Sequence, residues 1–523
     1  MNNNCIVMKN KYLFSLCAML LLFSLVNCSK NNNIGQLSED VTITDMNTSG
    51  DPEGDIENIG ADEDDLVENE SFDDVVSIVF SGTSVTITNP LEGNGVDITL
   101  NENDVTATST VSKVAYNISG ATTNGSVKIY SEKKFKLLLS NASITNTDGP
   151  AINVQSSKTV FVVLEGTNSL TDASSYSNIP DEEDAKGAFF SEGQLVFSGT
   201  GVLNVTGKYK HGIVSDDYIR VREGTITVKE AVKDAIHTND YFIADGGTFN
   251  ICADSDGIDC EEGYVIINNG TFNLEVVDDG IVASYDITEE TEPDASITPN
   301  VTINGGIFDI KTTEGEGIES KGIMTINKGD FNIEAYDDGI NAIGKLYING
   351  GELYIISSSN DAIDTNDALT ITGGMIIAIG SREPEGGIDA DVNTFKITGG
   401  TILGLGGATS KPTASACTQN SIIFSGTNAN LIIHIQSSDA EEALTYEVPA
   451  SVSTILYSSA KLKTGATYQM YNGGSVSGGS TFNGLYTSGT FSGGSAINNS
   501  FKISNTVTQI GGQAGGPMGP GGF

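Results

Sequence analysis

Six acidic residues each stand just before a small residue and an isoleucine: Asp234, Asp256, Asp279, Glu316, Asp338 and Asp361. Further oxygen donors flank them at Asp254 and Asp259, Asp278, Asp337 and Asn341, Asn360 and Asp364, and Glu385 and Asp389. Such side chains offer only hard oxygen ligands. Calcium takes about six to eight oxygens at about 2.3–2.6 Å, whereas zinc prefers His and Cys, so the set points to calcium. The competing role is structural, because Asp and Asn favour turn starts, where they bond nearby backbone. His211 and His237 lie near this acid column. No motif gives them a Ser or Cys partner, and both are expected to be surface or groove residues. If the site were catalytic, a base would be needed to take a proton from the substrate. Lys233, Lys321 and Lys345 are the candidates near the column.

These residues are positioned by a repeat. A small residue followed by an apolar one recurs from Ala151-Ile152 to Gly387-Ile388, at steps of 37, 24, 23, 22, 23, 37, 22, 23 and 25. The two long steps carry insertions, near 172–184 and 285–300. Each copy continues with a short apolar stretch, a turn ending in Gly, and an alternating strand such as Thr271-Phe-Asn-Leu274. Period two with aromatic and β-branched residues is a strand signal. Three short strands and three turns in about 23 residues predict one coil of a parallel β-helix. Equivalent residues then stack at about 4.8 Å. Ile236, Ile258, Ile281, Ile318, Ile340, Ile363 and Ile388 should form an inward ladder. The small side chains of Ser215, Thr238, Cys260, Ala283, Ser320, Ala342, Thr365 and Ala390 should form a second. Cys260 is thereby a core filler, and it is not paired with Cys252. Stacked carboxylates at this spacing repel unless solvent or a cation intervenes. An ion midway between two of them would lie at about bonding distance from both.

Composition narrows the partners. The formal net charge is −42, which argues against nucleic acid and anionic membrane surfaces. Trp is absent, which removes the commonest stacking platform for neutral sugars. At the N-terminus, Lys9 and Lys11 precede an apolar run over 12–26 that ends at Leu25-Val26-Asn27-Cys28. That run suits a signal peptide. The ending resembles a bacterial lipobox and implies lipid on Cys28, anchoring a lipoprotein of the bacterial cell envelope at the outer membrane or cell surface. Residues 29–73 are acidic and polar and read as a disordered tether. The helix is expected over 74–410, a C-terminal β cap or accessory region over 411–510, and a Gly/Pro-rich disordered tail over 511–523.

The coil motifs carry a family resemblance. Asp337-Asp338-Gly-Ile-Asn341, Asp256-Gly-Ile-Asp259 and Asn269-Gly-Thr-Phe-Asn273 resemble those of bacterial carbohydrate-binding β-helix lipoproteins, a group similar in fold to polysaccharide lyase family 9. The resemblance implies an all-β, right-handed parallel β-helix with calcium on one face. It also implies binding of plant polysaccharide such as cellulose or pectate. In the lyases an Asp-Asp-x-x-Asp arrangement holds calcium. Asn360-Asp361-Ala-Ile-Asp364 and Asp337-Asp338-Gly-Ile-Asn341 match it with one Asn for Asp, while Asp278-Asp279-Gly-Ile-Val282 lacks the last ligand. The expected calcium ligands are Asp254, Asp256, Asp259, Asp278, Asp279, Asp337, Asp338, Asn341, Asn360, Asp361 and Asp364. Bridging calcium would let a protein of charge −42 hold a polyuronate. The alternatives are a calcium-dependent lyase and a structural stalk or adhesin.

Overall fold

The turn that closes each coil ends in a glycine of positive φ, as at Gly270 (138°) and Gly329 (133°), a region that residues with a Cβ rarely enter. Between these turns the strands are short and stack in parallel. This computed structural model describes residues 37, 39–177, 179–180, 182–285, 298–391 and 394–515. Cys28 and the apolar run lie outside them.

The anchor isoleucines belong to a 12-stranded sheet. Ile236, Ile258, Ile281, Ile318, Ile340 and Ile363 stand in register from coil to coil, and Ile388 bridges to Ile363. All are fully buried, as are the small side chains from Ser215 to Thr365 in the second ladder. Cys260 is a free, buried thiol in that ladder. A Cβ on Gly257, Gly280 or Gly317 would come within 2.4 Å of the next coil's carbonyl oxygen, which explains the small anchor. Across the core, Phe249, Phe272, Phe308 and Phe331 stack with centroids 4.6, 4.9 and 4.5 Å apart. At the N-terminal end two antiparallel hairpins, Asp74–Ser81 with Ser84–Thr88 and Val96–Asn101 with Asp104–Ser109, close the sheet edges, which would otherwise be open to pairing.

At the other end Thr401–Gly406 pairs antiparallel with Thr454–Ser458. A separate six-stranded antiparallel sheet then follows. Its Ile433, Ile435, Leu444 and Tyr446 share a core with Met375, Ile377, Leu403 and Leu405 of the last coils. The C-terminal region therefore covers apolar side chains that would otherwise face water.

The segment expected to be a disordered tether is instead ordered over residues 39–73 and runs along the helix as a strap. Val41–Ile43 pairs antiparallel with Gly489–Ser492. Farther on, the side-chain amides of Asn349, Asn327, Asn304 and Asn268 donate to the carbonyls of Glu53, Asp55, Asn58 and Ile59 at 2.8–2.9 Å. Those asparagines also bond one another from coil to coil at 2.8–2.9 Å. Arg220 holds the strap through the Gly60 carbonyl at 2.7 Å and Asp65 at 3.3 Å, and Arg222 forks onto Glu68. The Tyr218 hydroxyl also donates to Asp65, and Phe72 packs on Phe161. Polar composition argued for disorder, but the segment is held largely through its own backbone carbonyls, which accept from asparagines and an arginine of the coils, and composition does not register backbone acceptors.

Candidate functional site

The acid column lies where each coil turns into its anchor strand. Backbone N–H groups bind the carboxylates in sequence. Those of Asp256, Asp279 and Glu316 donate to Oδ1 of Asp234, Asp256 and Asp279 at 3.3, 2.8 and 2.8 Å. Those of Asp361 and Gly386 donate to Oδ1 of Asp338 and Asp361 at 3.0 and 2.5 Å. One oxygen of each of these five aspartates thus fastens the next coil. The turn role and a ligand role are compatible, because the second oxygen is not needed for the turn.

A second polar column sits just after the anchor isoleucines. His237 stands beside Asp259, and Glu319, Asn341 and Asp364 follow in register. Together the columns gather carboxylates. One oxygen each of Asp361, Asp364 and Asp389 lies within 4.8 Å of the others. The same holds for Asp256, Asp278 and Asp279, and for Asp234, Asp256 and Asp259.

Six of the expected ligands therefore converge: Asp256, Asp259, Asp278, Asp279, Asp361 and Asp364. Asp389, a flanking donor in the sequence, joins the last group. Among the described residues Asp254, Asp337 and Asp338 enter no such group of three. Asn360 donates its amide to Asp337 at 2.8 Å, and Asn341 donates to Glu319 at 3.3 Å. Both amides are thus spent on carboxylates across coils, while Asn341 Oδ1 is buried without a partner, and the Asp-Asp-x-x-Asp match at Asp337 forms no carboxylate group of three as the match at Asp361 does.

Burial and like charge govern the electrostatics. Burial and then the neighbouring Asp364 and Asp361 push Asp338 up to about 10. Burial, with Asp389 and Asp364 nearby, pushes Asp361 up to about 8. Asp364 rises to about 7 through burial, Asp389 and Asp391. Asp256 and Asp279 are raised for the same reasons, burial first. At neutral pH these oxygens hold protons or a cation. An oxygen-only set within 4.8 Å, partly withdrawn from water, fits calcium.

The sequence reading puts the histidines at the surface or in a groove; they are buried, at 4% and 5% exposure. Their rings stack with centroids 4.4 Å apart. Burial opposes ionisation of Asp234, but the close approach of the His211 and His237 rings outweighs it and holds that carboxyl well below the usual range. Burial also works against a charged His237, yet Asp234, Asp259 and Glu261 outweigh it and push the imidazole up to about 11. The pair borders a cavity of about 350 Å³ that Lys186, Lys210 and Lys233 also line. The signal was present in the sequence. His211 occupies the acid-column slot one coil earlier, and the three lysines stand two positions before successive anchors. Of the other candidate bases, Lys321 is paired with Glu319 at 2.6 Å, and Lys345 is exposed.

The structural comparison finds a likeness to a polysaccharide lyase-like protein from C. thermocellum, solved as a gadolinium derivative. It is 22% identical, covers 57% of this chain and 96% of that one, and has a TM-score of 0.36. A relative from Acetivibrio thermocellus, a carbohydrate-binding domain-containing protein, is 29% identical over 119 residues. That match spans 22% of this chain and 42% of the relative, less than half its length. A family model matches residues 101–362, the stretch that builds the coils and the acid column, and the chain belongs to the carbohydrate-binding domain-containing protein family.

Proposed function

We propose that this protein binds an acidic polysaccharide of the pectate type along the acid face of its β-helix, with calcium bridging glycan carboxylates to the protein. The observation that carries this reading is the group of Asp361, Asp364 and Asp389, whose oxygens converge within 4.8 Å while two of the carboxyls are pushed to about 8 and 7. A divalent cation relieves that repulsion, and since calcium takes about six to eight oxygens, it keeps coordination positions open for a glycan carboxylate. Cellulose fits less well, because a chain without Trp lacks the usual platform for neutral sugars. The lipidated Cys28 would hold the protein on the bacterial cell envelope.

Calorimetric titration with polygalacturonate, in calcium and in chelator, tests the proposal. Binding should require calcium and fall when Asp361 and Asp364 are both changed to Asn. Equal binding in chelator would leave the ion at most a staple in a stalk. Equal or tighter binding of cellulose would overturn the choice of glycan. A lyase reading draws on one observation, that exposed Lys233 lines the cavity beside the column. Release of an unsaturated uronate product from the same mixture would favour it over simple binding.

A further inference from the structure

The N-terminal end of the polar columns differs in chemistry from the rest. His211 takes the slot that Asp234 and Asp256 take in the next coils, and His237 takes the slot of Asp259. Nδ1 of His211 lies 3.0 Å from Oδ2 of Asp234. Nδ1 of His237 lies 3.3 Å from the same oxygen and 2.8 Å from Oδ2 of Asp259. The two nitrogens and the Asp234 oxygen form one cluster within 4.8 Å.

Three further observations point to an ion at that cluster. The buried Nδ1 of His211 makes no hydrogen bond, so its 3.0 Å approach to the carboxylate is close but badly angled for N–H···O. The 3.0 and 3.3 Å separations from the two ring nitrogens to Asp234 Oδ2 are close to the ligand–ligand edges of a tetrahedral zinc centre, about 3.3 Å for bonds of about 2.0–2.1 Å, while the 2.8 Å contact to Asp259 is a hydrogen bond. Nε2 of His237 faces Glu261 Oε2 at 3.4 Å, the outer carboxylate that commonly orients a metal-bound imidazole.

We propose that His211, Asp234 and His237, with Asp259 beside them, form a site for a divalent transition-metal ion of the zinc class, which takes over the Asp234 and Asp259 carboxylates and is separate from the oxygen-only group of Asp361, Asp364 and Asp389. Imidazole nitrogen selects such ions over calcium. The site opens onto the cavity, so a bound ion would keep a face for a further ligand.

The full chain, stripped with chelator and dialysed, is titrated with zinc, and with cobalt as a visible reporter of tetrahedral nitrogen–oxygen coordination. One zinc should bind at this site per chain, excess calcium should not displace it, and cobalt should give intense visible bands. His211→Gln and His237→Gln should each weaken zinc by about tenfold or more. Asp361→Asn with Asp364→Asn should blunt the calcium response and leave zinc binding in place, so the two readings fail separately. Two imidazolium protons could supply the same charge as the ion. In that case the wild-type protein would take up no zinc or cobalt, and the proposal would be overturned. Uptake unchanged in the double histidine variant would overturn it as well. The wild-type cobalt spectrum decides the matter even if a variant fails to fold.

Discussion

Asp361 serves fold and ligand with different oxygens. Its Oδ1 accepts the Gly386 N–H at 2.5 Å, while the carboxyl also belongs to the Asp361, Asp364 and Asp389 group. Asn keeps the acceptor and removes the charge. The pH response follows from the raised carboxyls. In the metal-free folded state Asp364, Asp361 and Asp338 titrate at about 7, 8 and 10, against about 4 when unfolded. Between those limits the folded state binds more protons than the unfolded state. Stability is therefore fully present below about pH 4 and is lost as pH rises through about 7 to 10. Metal-free protein should melt at a lower temperature at pH 9 than at pH 6. Calcium should close that gap, and sodium at equal ionic strength should not. Asp361→Asn with Asp364→Asn should raise the metal-free melting temperature at pH 9 and blunt the calcium response. A metal-free melting temperature that rises from pH 6 to 9 would contradict the assignment. The acids were legible because they repeat in six coils. The histidines were missed because they were judged by the absence of a nucleophilic partner and not by their slot in the column.

The coil was legible from the repeat of about 23 residues, and the inward–outward alternation holds even between two apolar neighbours, since Ile307 is 54% exposed and Phe308 beside it is 1% exposed. The strap was not legible. Its polar residues satisfied the compositional rule for disorder, while the asparagines that receive it looked like ordinary turn residues. Asn327 shows what composition omits. Its amide donates to Asp55 O at 2.9 Å and to Asn304 Oδ1 at 2.8 Å, and its own oxygen accepts from Asn349 at 2.8 Å. Asn327→Ala leaves all three partners without this bond, at a cost of about 1–3 kcal/mol if they stay shielded from water. Limited proteolysis should then cut within residues 50–60 sooner than in the wild type, with the coils intact. An unchanged cleavage rate would show that Arg220, Arg222 and the Val41–Ile43 pairing hold the strap without the asparagine ladder.

Over the whole molecule the strap also fixes a direction. Its start at Val41–Ile43 pairs with Gly489–Ser492 beside the last coils, and its later residue Asp65 reaches Tyr218 and Arg220 on earlier coils. Cys28 lies thirteen residues before Val41. A lipid on that cysteine would therefore set the C-terminal end of the helix toward the membrane and the N-terminal hairpins away from it. The acid face would extend outward between them, where a long glycan could lie along several coils. Cys28→Ser should release the protein from the membrane fraction. In intact cells, an epitope placed at the exposed Glu92–Asn94 turn should be labelled more readily than one placed in the C-terminal sheet. Equal labelling of the two would remove the orientation. A Cys28→Ser protein that stays with the membrane would remove the anchor itself.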